Sequence, residues 1–500
     1  MSFGQTVNTE SGQVEGKTTP DGTIRAFLGI PYAAPPVGEW RWREPQPARP
    51  WQGVRQAVTF GSRCMQGRIY DDMVFLDPGP SEDCLTLNIW TPASPPSKLP
   101  VMVWIYGGGF QAGATSEPRQ NGEFLAHKGV VVVSMNYRLA IFGFFAHPEL
   151  TQESPHHASG NYGLMDQAAA LQWVKRNIAQ FGGDPDNITI FGESAGSYSV
   201  SAQMASPLAK NIIRHAIGES GALFGRSNPK SLPESEQDGF LFGQQIGAET
   251  LAKLRALSAE QLLAAYMKGD HERFKQNVDG YFLPSSPLEI YKNGDQARVP
   301  LLAGWNRDEE TWRSFFGQDP ATKLNYTAKV KHDYGEHAAA ILKLFPANTL
   351  EQMKTSAARL SSANFIAYGT WKWIEEHKRF APVYRYEFDR PLPAAPGATD
   401  PDAGKLVPHA SEIEYVFGTL KSRNLPFQPV DYELSDLIQT YWTNFAKTGD
   451  PNGNGLPVWP KYAGNFSVMH LSAESKAKAD MARKGYQAID RAKQVPIASR

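Results

Sequence analysis

The sequence predicts an α/β fold, a mostly parallel sheet between layers of helices, and three observations carry that expectation. Short apolar runs of strand length recur from about residue 100: 101–106, 130–136, 188–191, 214–217, 301–304 and 383–388. They are apolar at consecutive rather than alternate positions, the pattern of strands buried on both faces of a sheet. Helix-length stretches separate them. Leu171, Val174, Ile178 and Phe181 fall at helical spacing, and Phe181-Gly182-Gly183-Asp184-Pro185 ends that helix with glycine then proline. The composition, 41% hydrophobic and 20% charged over 500 residues, suits a packed chain and is too apolar for disorder.

The N-terminal region reads as β-rich, with strand character at 14–16, 24–30 and 85–90. Residues 31–51 are too dense in proline for helix or central strand, and their aromatics (Tyr32, Trp40, Trp42, Trp51) point to packing rather than to a linker. Residues 226–298 and 311–380 are polar, helix-prone and rich in Ala, Lys, Glu and Gln. They are expected to be helical insertions between core strands, suited to a cleft wall or lid. Length alone would allow about three domains. The motifs below form one set running from Gly107 to His409, so a single domain over 1–500 is expected.

With 50 basic and 51 acidic side chains, the chain has no electrostatic footprint for nucleic acid or an anionic membrane. No apolar run approaches the roughly 18 residues that span a bilayer. Residues 1–12 have neither the charged start nor the apolar block of a signal peptide, as a mature form would also lack them.

The sharpest local signal is Gly192-Glu193-Ser194-Ala195-Gly196, between the strand at 188–191 and a helix-capable stretch. G-x-S-x-G at a strand-to-helix turn holds a serine in a strained, exposed conformation suited to nucleophilic attack, with a helix N-terminus favouring developing negative charge. Gly218-Glu219-Ser220-Gly221 repeats the opening of this motif, but its second glycine arrives one residue early. Ser220 and Glu193 are expected behind the reacting groups. Gly107-Gly108-Gly109-Phe110 follows another strand. Its glycines let backbone N–H groups face a substrate, and neither G-x-G-x-x-G nor a following Gly-Lys-Ser/Thr makes it a phosphate loop.

A nucleophilic serine needs a base and an acid to orient it, and on this kind of elbow both follow the serine in the chain. Of eleven histidines, five lie beyond residue 300. His332, His337 and His377 have charged helical surroundings and are expected in solvent; His470, within 468–471, is expected to pack in a strand. His409 lies in a loop after the strand at 383–388, where a base belongs. The acid stays open among Asp308, Glu309 and Glu310, which follow the strand at 301–304.

These motifs, with His409-Ala410-Ser411-Glu412-Ile413, Gly29-Ile30-Pro31-Tyr32-Ala33, Ser81-Glu82-Asp83-Cys84-Leu85, Asn136-Tyr137-Arg138 and Gly160-Asn161-Tyr162-Gly163-Leu164, resemble the type-B carboxylesterases. That is the branch of α/β-hydrolases that includes the cholinesterases. The resemblance implies an α/β-hydrolase fold and a cofactor-free, metal-free carboxylic ester hydrolase. Its catalytic residues would be Ser194, Glu309 and His409, with an oxyanion hole at Gly108, Gly109 and Ala195. Glu310 stands where the family's acid motif has glycine. The resemblance also implies ion pairs Arg41–Glu82 and Arg138–Asp166, and a disulfide Cys64–Cys84. Closing that loop of about 20 residues would stabilise by roughly 3 kcal/mol. Cholinesterases carry on this loop a tryptophan that holds a quaternary ammonium; residues 65–83 contain none, so choline esters are not expected. Phe110, Phe282, Trp312 and Phe315 are the aromatics that could line the pocket instead. The near-zero charge fits a small-molecule partner, a neutral, largely apolar ester. An amidase, a lipase and a non-catalytic binding protein of the same fold are the alternatives. The oligomeric state stays open between monomer and dimer. A periplasmic or secreted home is expected if the cysteines are paired, a cytoplasmic one otherwise.

Overall fold

A computed structural model describes residues 6–494 apart from 96–97, 226–227 and 271–272. Part of the N-terminal segment read for a signal peptide, residues 1–5, lies outside the described residues, as does the start of the first insertion.

Eleven strands form the main sheet. In chain order they are β1 (Lys17–Thr18), β2 (Ile24–Pro31), β3 (Thr86–Pro92), β4 (Leu99–Ile105), β5 (Val131–Met135), β6 (Gly183–Glu193), β7 (His215–Glu219), β8 (Leu301–Asn306), β9 (Val383–Phe388), β10 (Ser467–Leu471) and β11 (Lys476–Ala479). Their spatial order is β11-β10-β9-β8-β7-β6-β4-β5-β3-β2-β1. The run from β5 through β10 is parallel, and antiparallel pairs close both edges. The consecutive apolar residues of the middle strands explain this arrangement: every residue of β5, β7 and β8 is buried. Each valine, leucine or isoleucine so buried stabilises by roughly 1.5–3 kcal/mol.

Helices cover the sheet. The one predicted between β5 and β6 is α1 (Tyr162–Asn177), continued by a 3-10 turn to Phe181 and ended by Gly182 at φ 85°. α2 (Ala195–Ala205) follows β6, and α3 (Pro429–Thr448) starts on a proline and buries Trp442 and Phe445. The proline-dense segment holds the turn Gly38–Trp40 and an isolated antiparallel bridge between Ala33 and Pro47; its Trp42 is buried and donates from Nε1 to the Ile141 carbonyl (2.8 Å).

Between β7 and β8 lie helices Leu232–Gln245, Leu251–Ala256, Ala259–Tyr266 and Pro287–Asn293, with a short parallel strand pair, Lys230–Ser231 and Asn277–Val278, that the sequence did not announce. Between β8 and β9 lie Trp312–Phe316, Lys323–Tyr334, Ala338–Leu344, Leu350–Ser362 and Tyr368–His377, the last two joined by a π-turn, Ala363–Ala367. His377 departs from expectation. It is fully buried and its Nε2 hydrogen-bonds the Val299 carbonyl (2.8 Å), so burial depresses its pKa to about 4.

Cys64 and Cys84 form a disulfide, with Cα atoms 5.0 Å apart. Arg41 grips Glu82 through Nε and Nη2 (2.6 and 2.7 Å), and Arg138 grips Asp166 likewise (2.8 Å each). Among the described residues no helix is long and apolar enough to cross a membrane.

Candidate active site

β6 ends at Glu193 and α2 begins at Ala195, leaving Ser194 alone in the turn at φ 54°, ψ −122°. That backbone is strained for a residue with a side chain. Neighbouring atoms hold it there: Ser194 N–H donates to the Glu219 carbonyl at the end of β7 (2.8 Å). A Cβ on Gly196 would sit 1.9 Å from the Ile105 carbonyl oxygen, and one on Gly192 2.5 Å from it, so β6 and α2 pass β4 only as glycine.

The Gly107–Phe110 segment leaves β4 beside this turn. Gly108 and Gly109 adopt φ of 100° and 64°, and the Gly108 carbonyl accepts from the N–H groups of Gln111 and Ala112 (3.0 and 3.1 Å). Among the described residues nothing accepts from the N–H groups of Gly108, Gly109 or Ala195. Gly108, Gly109 and Ser194 line one cavity of about 480 Å³, together with His409 and Glu193.

His409 comes from the loop after β9, and its Nδ1 lies 2.6 Å from Glu309 Oε2. Glu309 follows β8. Its other oxygen, Oε1, accepts from the Asn306 N–H (2.7 Å) and the Ser220 hydroxyl (2.5 Å). Asp308 instead accepts from the Val407 N–H and pairs with Arg307, and Glu310 takes the Ser314 hydroxyl, so Glu309 alone of the three carboxylates meets the imidazole. The glutamate in place of glycine at 310 leaves that meeting undisturbed.

No hydrogen bond joins Ser194 Oγ to His409 among the described residues; Nε2 instead lies 3.2 Å from Glu193 Oε1. Loosened contacts of this kind are common in sites without substrate. Burial pushes Glu193 up to about 8 and Glu412, whose Oε2 takes the Asn306 amide (2.7 Å), up to about 7. Burial opposes the imidazolium of His409, but the carboxylates of Glu193, Glu309 and Glu412 outweigh it and raise its pKa.

Of the four aromatics expected in the pocket, Phe110 lies on the cavity wall. Phe282 and Phe315 are buried elsewhere, Phe315 against Phe316 and Tyr326, and Trp312 packs beneath Lys354. The apolar wall comes instead from Ile69, Met73, Phe274, Phe365 and Ile366. Phe365 and Ile366 sit on the π-turn, and Phe365 packs edge-on against His409 (centroids 5.1 Å apart). No periodicity in the sequence marks that turn, whose wider winding re-aims two side chains. Both inserted segments and the disulfide loop thus contribute walls.

The profile of the carboxylesterase family matches residues 4–489. Fumonisin B1 esterase of Sphingopyxis macrogoltabida is 36% identical over 493 residues, covering 93% of this chain and 86% of its own. Para-nitrobenzyl esterase of Bacillus subtilis (strain 168) is 39% identical, covering 92% of each. A solved PNB esterase structure superposes with a TM-score of 0.81 at 34% identity, covering 97% of this chain and 99% of that one.

Proposed function

The chain belongs to the carboxylesterase family and is a carboxylic ester hydrolase of α/β-hydrolase fold, and from that premise we propose that it works through Ser194, His409 and Glu309 by way of an acyl-enzyme. The observation that carries the reading is Ser194 held at φ 54° on the cavity wall, beside a histidine whose far nitrogen is anchored 2.6 Å from Glu309. When an ester enters, the imidazole turns from Glu193 to Ser194 Oγ and takes its proton as the oxygen attacks the carbonyl carbon. Glu309 keeps Nδ1 protonated and steadies the imidazolium. The N–H groups of Gly108, Gly109 and Ala195, unpartnered in the resting site, receive the oxyanion. The imidazolium then protonates the leaving alcohol, and water repeats the sequence on the acyl-serine.

The walls favour an ester with apolar parts: Ile69, Met73, Phe110, Phe274, Phe365 and Ile366 supply most of the non-polar lining. The disulfide favours an oxidising home, in the periplasm or outside the cell. One domain over 1–500, with the two inserted segments as walls, accounts for the single set of motifs.

The test is a serine-directed phosphonate followed by peptide mass mapping. The label is expected on Ser194, with loss of p-nitrophenyl acetate turnover in proportion to labelling; labelling of another residue at full inactivation would overturn the assignment. Rates on an ester, its matched amide and an emulsified long-chain glyceride separate esterase from amidase and lipase.

A further inference from the structure

Arg119, in the turn Pro118–Gln120, lines the same cavity as Ser194, yet its side chain is only 14% exposed. A guanidinium carries five donors in a fixed fork, and a buried one is normally saturated. Here Nε donates to Glu117 Oε2 (2.8 Å), and Nη1 comes no nearer than 3.7 Å to the exposed Asp72. Among the described residues no other hydrogen bond reaches the Nη groups. The fork is held at its root and open at its tip.

Of the carboxylates near it, Glu117 alone is hydrogen-bonded to it among the described residues. Glu193 is pushed up to about 8 by burial, Glu414 is raised by burial, and Glu117 itself is pushed up to about 7. Asp72 is 65% exposed and free to turn to water. Lys275, the other cation of the cavity, has a partner of its own.

Arg119 lines the cavity together with Glu193, whose Oε1 lies 3.2 Å from His409 Nε2. In the proposed mechanism that nitrogen protonates the leaving oxygen, so this side of the cavity receives the alcohol part of the ester. We infer that Arg119 is a specificity residue that binds a carboxylate on the alcohol portion of the substrate through its open Nη fork. The inference rests on the proposed acyl-enzyme reading, and it replaces the expected neutral ester with one that is apolar near the scissile bond and anionic at the far end of the alcohol. The bidentate geometry of carboxylate on guanidinium is the natural complement of two adjacent unpaired N–H groups.

The test pairs two acetyl esters that differ at one group, 4-acetoxybenzoate and 4-acetoxybenzamide. The wild type is expected to favour the carboxylate in kcat/KM, and Arg119→Met to lower that preference by roughly tenfold or more, the worth of a charge-assisted hydrogen bond. Arg119→Lys, which keeps the charge without the fork, should fall between them. Because Arg119→Met strands Glu117, a second measurement uses only the wild type: 4-hydroxybenzoate should inhibit p-nitrophenyl acetate hydrolysis at lower concentration than 4-hydroxybenzamide. Equal inhibition by the two, an unchanged preference in Arg119→Met, or loss of the preference in Lys275→Met instead, would overturn the inference. Failure of the wild type to turn over p-nitrophenyl acetate would instead count against the underlying reading.

Discussion

Gly192-Glu193-Ser194 and Gly218-Glu219-Ser220 are the same tripeptide at the ends of neighbouring strands, with serines at φ 54° and 56°. Only one of them lines the cavity. After Ser194 the chain enters α2, which holds the hydroxyl at the cavity wall and aims a helix N-terminus at it. After Ser220 no helix follows at once; the residue is fully buried, and its hydroxyl is committed to Glu309 (2.5 Å), with Glu412 Oε1 at 3.4 Å. Backbone strain therefore does not make a nucleophile. It makes a side chain point where the sheet end needs it, outward to the cavity in one case and inward to Glu309 in the other.

Alanine at each position separates the two roles. Ser194→Ala is expected to lower kcat on p-nitrophenyl acetate by at least about 10⁴-fold, since the proposed acyl-enzyme forms on its hydroxyl. Ser220→Ala removes one of the two hydrogen bonds to Glu309 Oε1 and leaves the Asn306 N–H in place. A loss of about tenfold in kcat, with KM little changed, is expected for one hydrogen bond to a charged group. Equal losses in the two variants would mean that Ser220 takes part in the chemistry rather than in positioning.

The comparison also separates what a sequence carries from what it does not. The Ser194 turn and the glycine segment are legible because their chemistry is local: the glycines are required by contacts such as Gly196 against the Ile105 carbonyl, which any strand–turn–helix of this kind makes. The acid is not legible from its own neighbourhood. Asp308, Glu309 and Glu310 are consecutive carboxylates, and the choice depends on Asn306, Ser220 and His409 meeting one of them from three directions. The family resemblance points to Glu309 where spacing does not. The pocket wall is harder still, because an aromatic in a helical insertion looks the same whether it faces the cavity, as Phe365 does, or the insertion's own core, as Phe315 does. His377 escapes a sequence reading for a related reason: charged neighbours along a helix do not reveal that one residue is buried against Gln296, Val299 and Tyr291.

The two glutamates of the repeated tripeptide invite a gentler test. Glu193 faces His409 Nε2 at 3.2 Å, whereas Glu219 accepts from Trp442 Nε1 (2.7 Å) and faces away. In the proposed mechanism activity needs neutral imidazole, so kcat/KM is expected to rise with pH through the pKa of His409, and the Glu193 carboxylate raises that pKa. Glu193→Gln should therefore move the acid limb to lower pH. Glu219→Gln should leave the limb in place, because burial already keeps Glu219 protonated well above the usual carboxylate range and glutamine preserves the oxygen that Trp442 needs. A limb that moves equally in both variants would show a diffuse field of buried acids rather than a specific Glu193–His409 contact.

The smallest expected effect concerns stability rather than rate, and it tests the inward side of the comparison. Glu412 is 1% exposed beneath Ser220, and burial together with the charge of Glu309 pushes it from 4.5 up to about 7. A carboxyl whose folded pKa lies above its unfolded one stabilises the fold while both states are protonated. That stabilisation is complete below about pH 4.5 and drains away as the pH rises towards 7. The shift is worth on the order of 3 kcal/mol, a few degrees at most in a protein of this size. Glu193, pushed up to about 8, adds a contribution of the same sign. Tm of the wild type should accordingly fall between pH 5 and pH 8. Glu412→Gln keeps an oxygen for the Asn306 amide but has no proton to lose, so its Tm should fall less steeply over the same range. Parallel profiles for the two proteins would mean that the buried carboxyl is compensated in the folded state, and that the acids behind Ser220 are paired more fully than their burial implies.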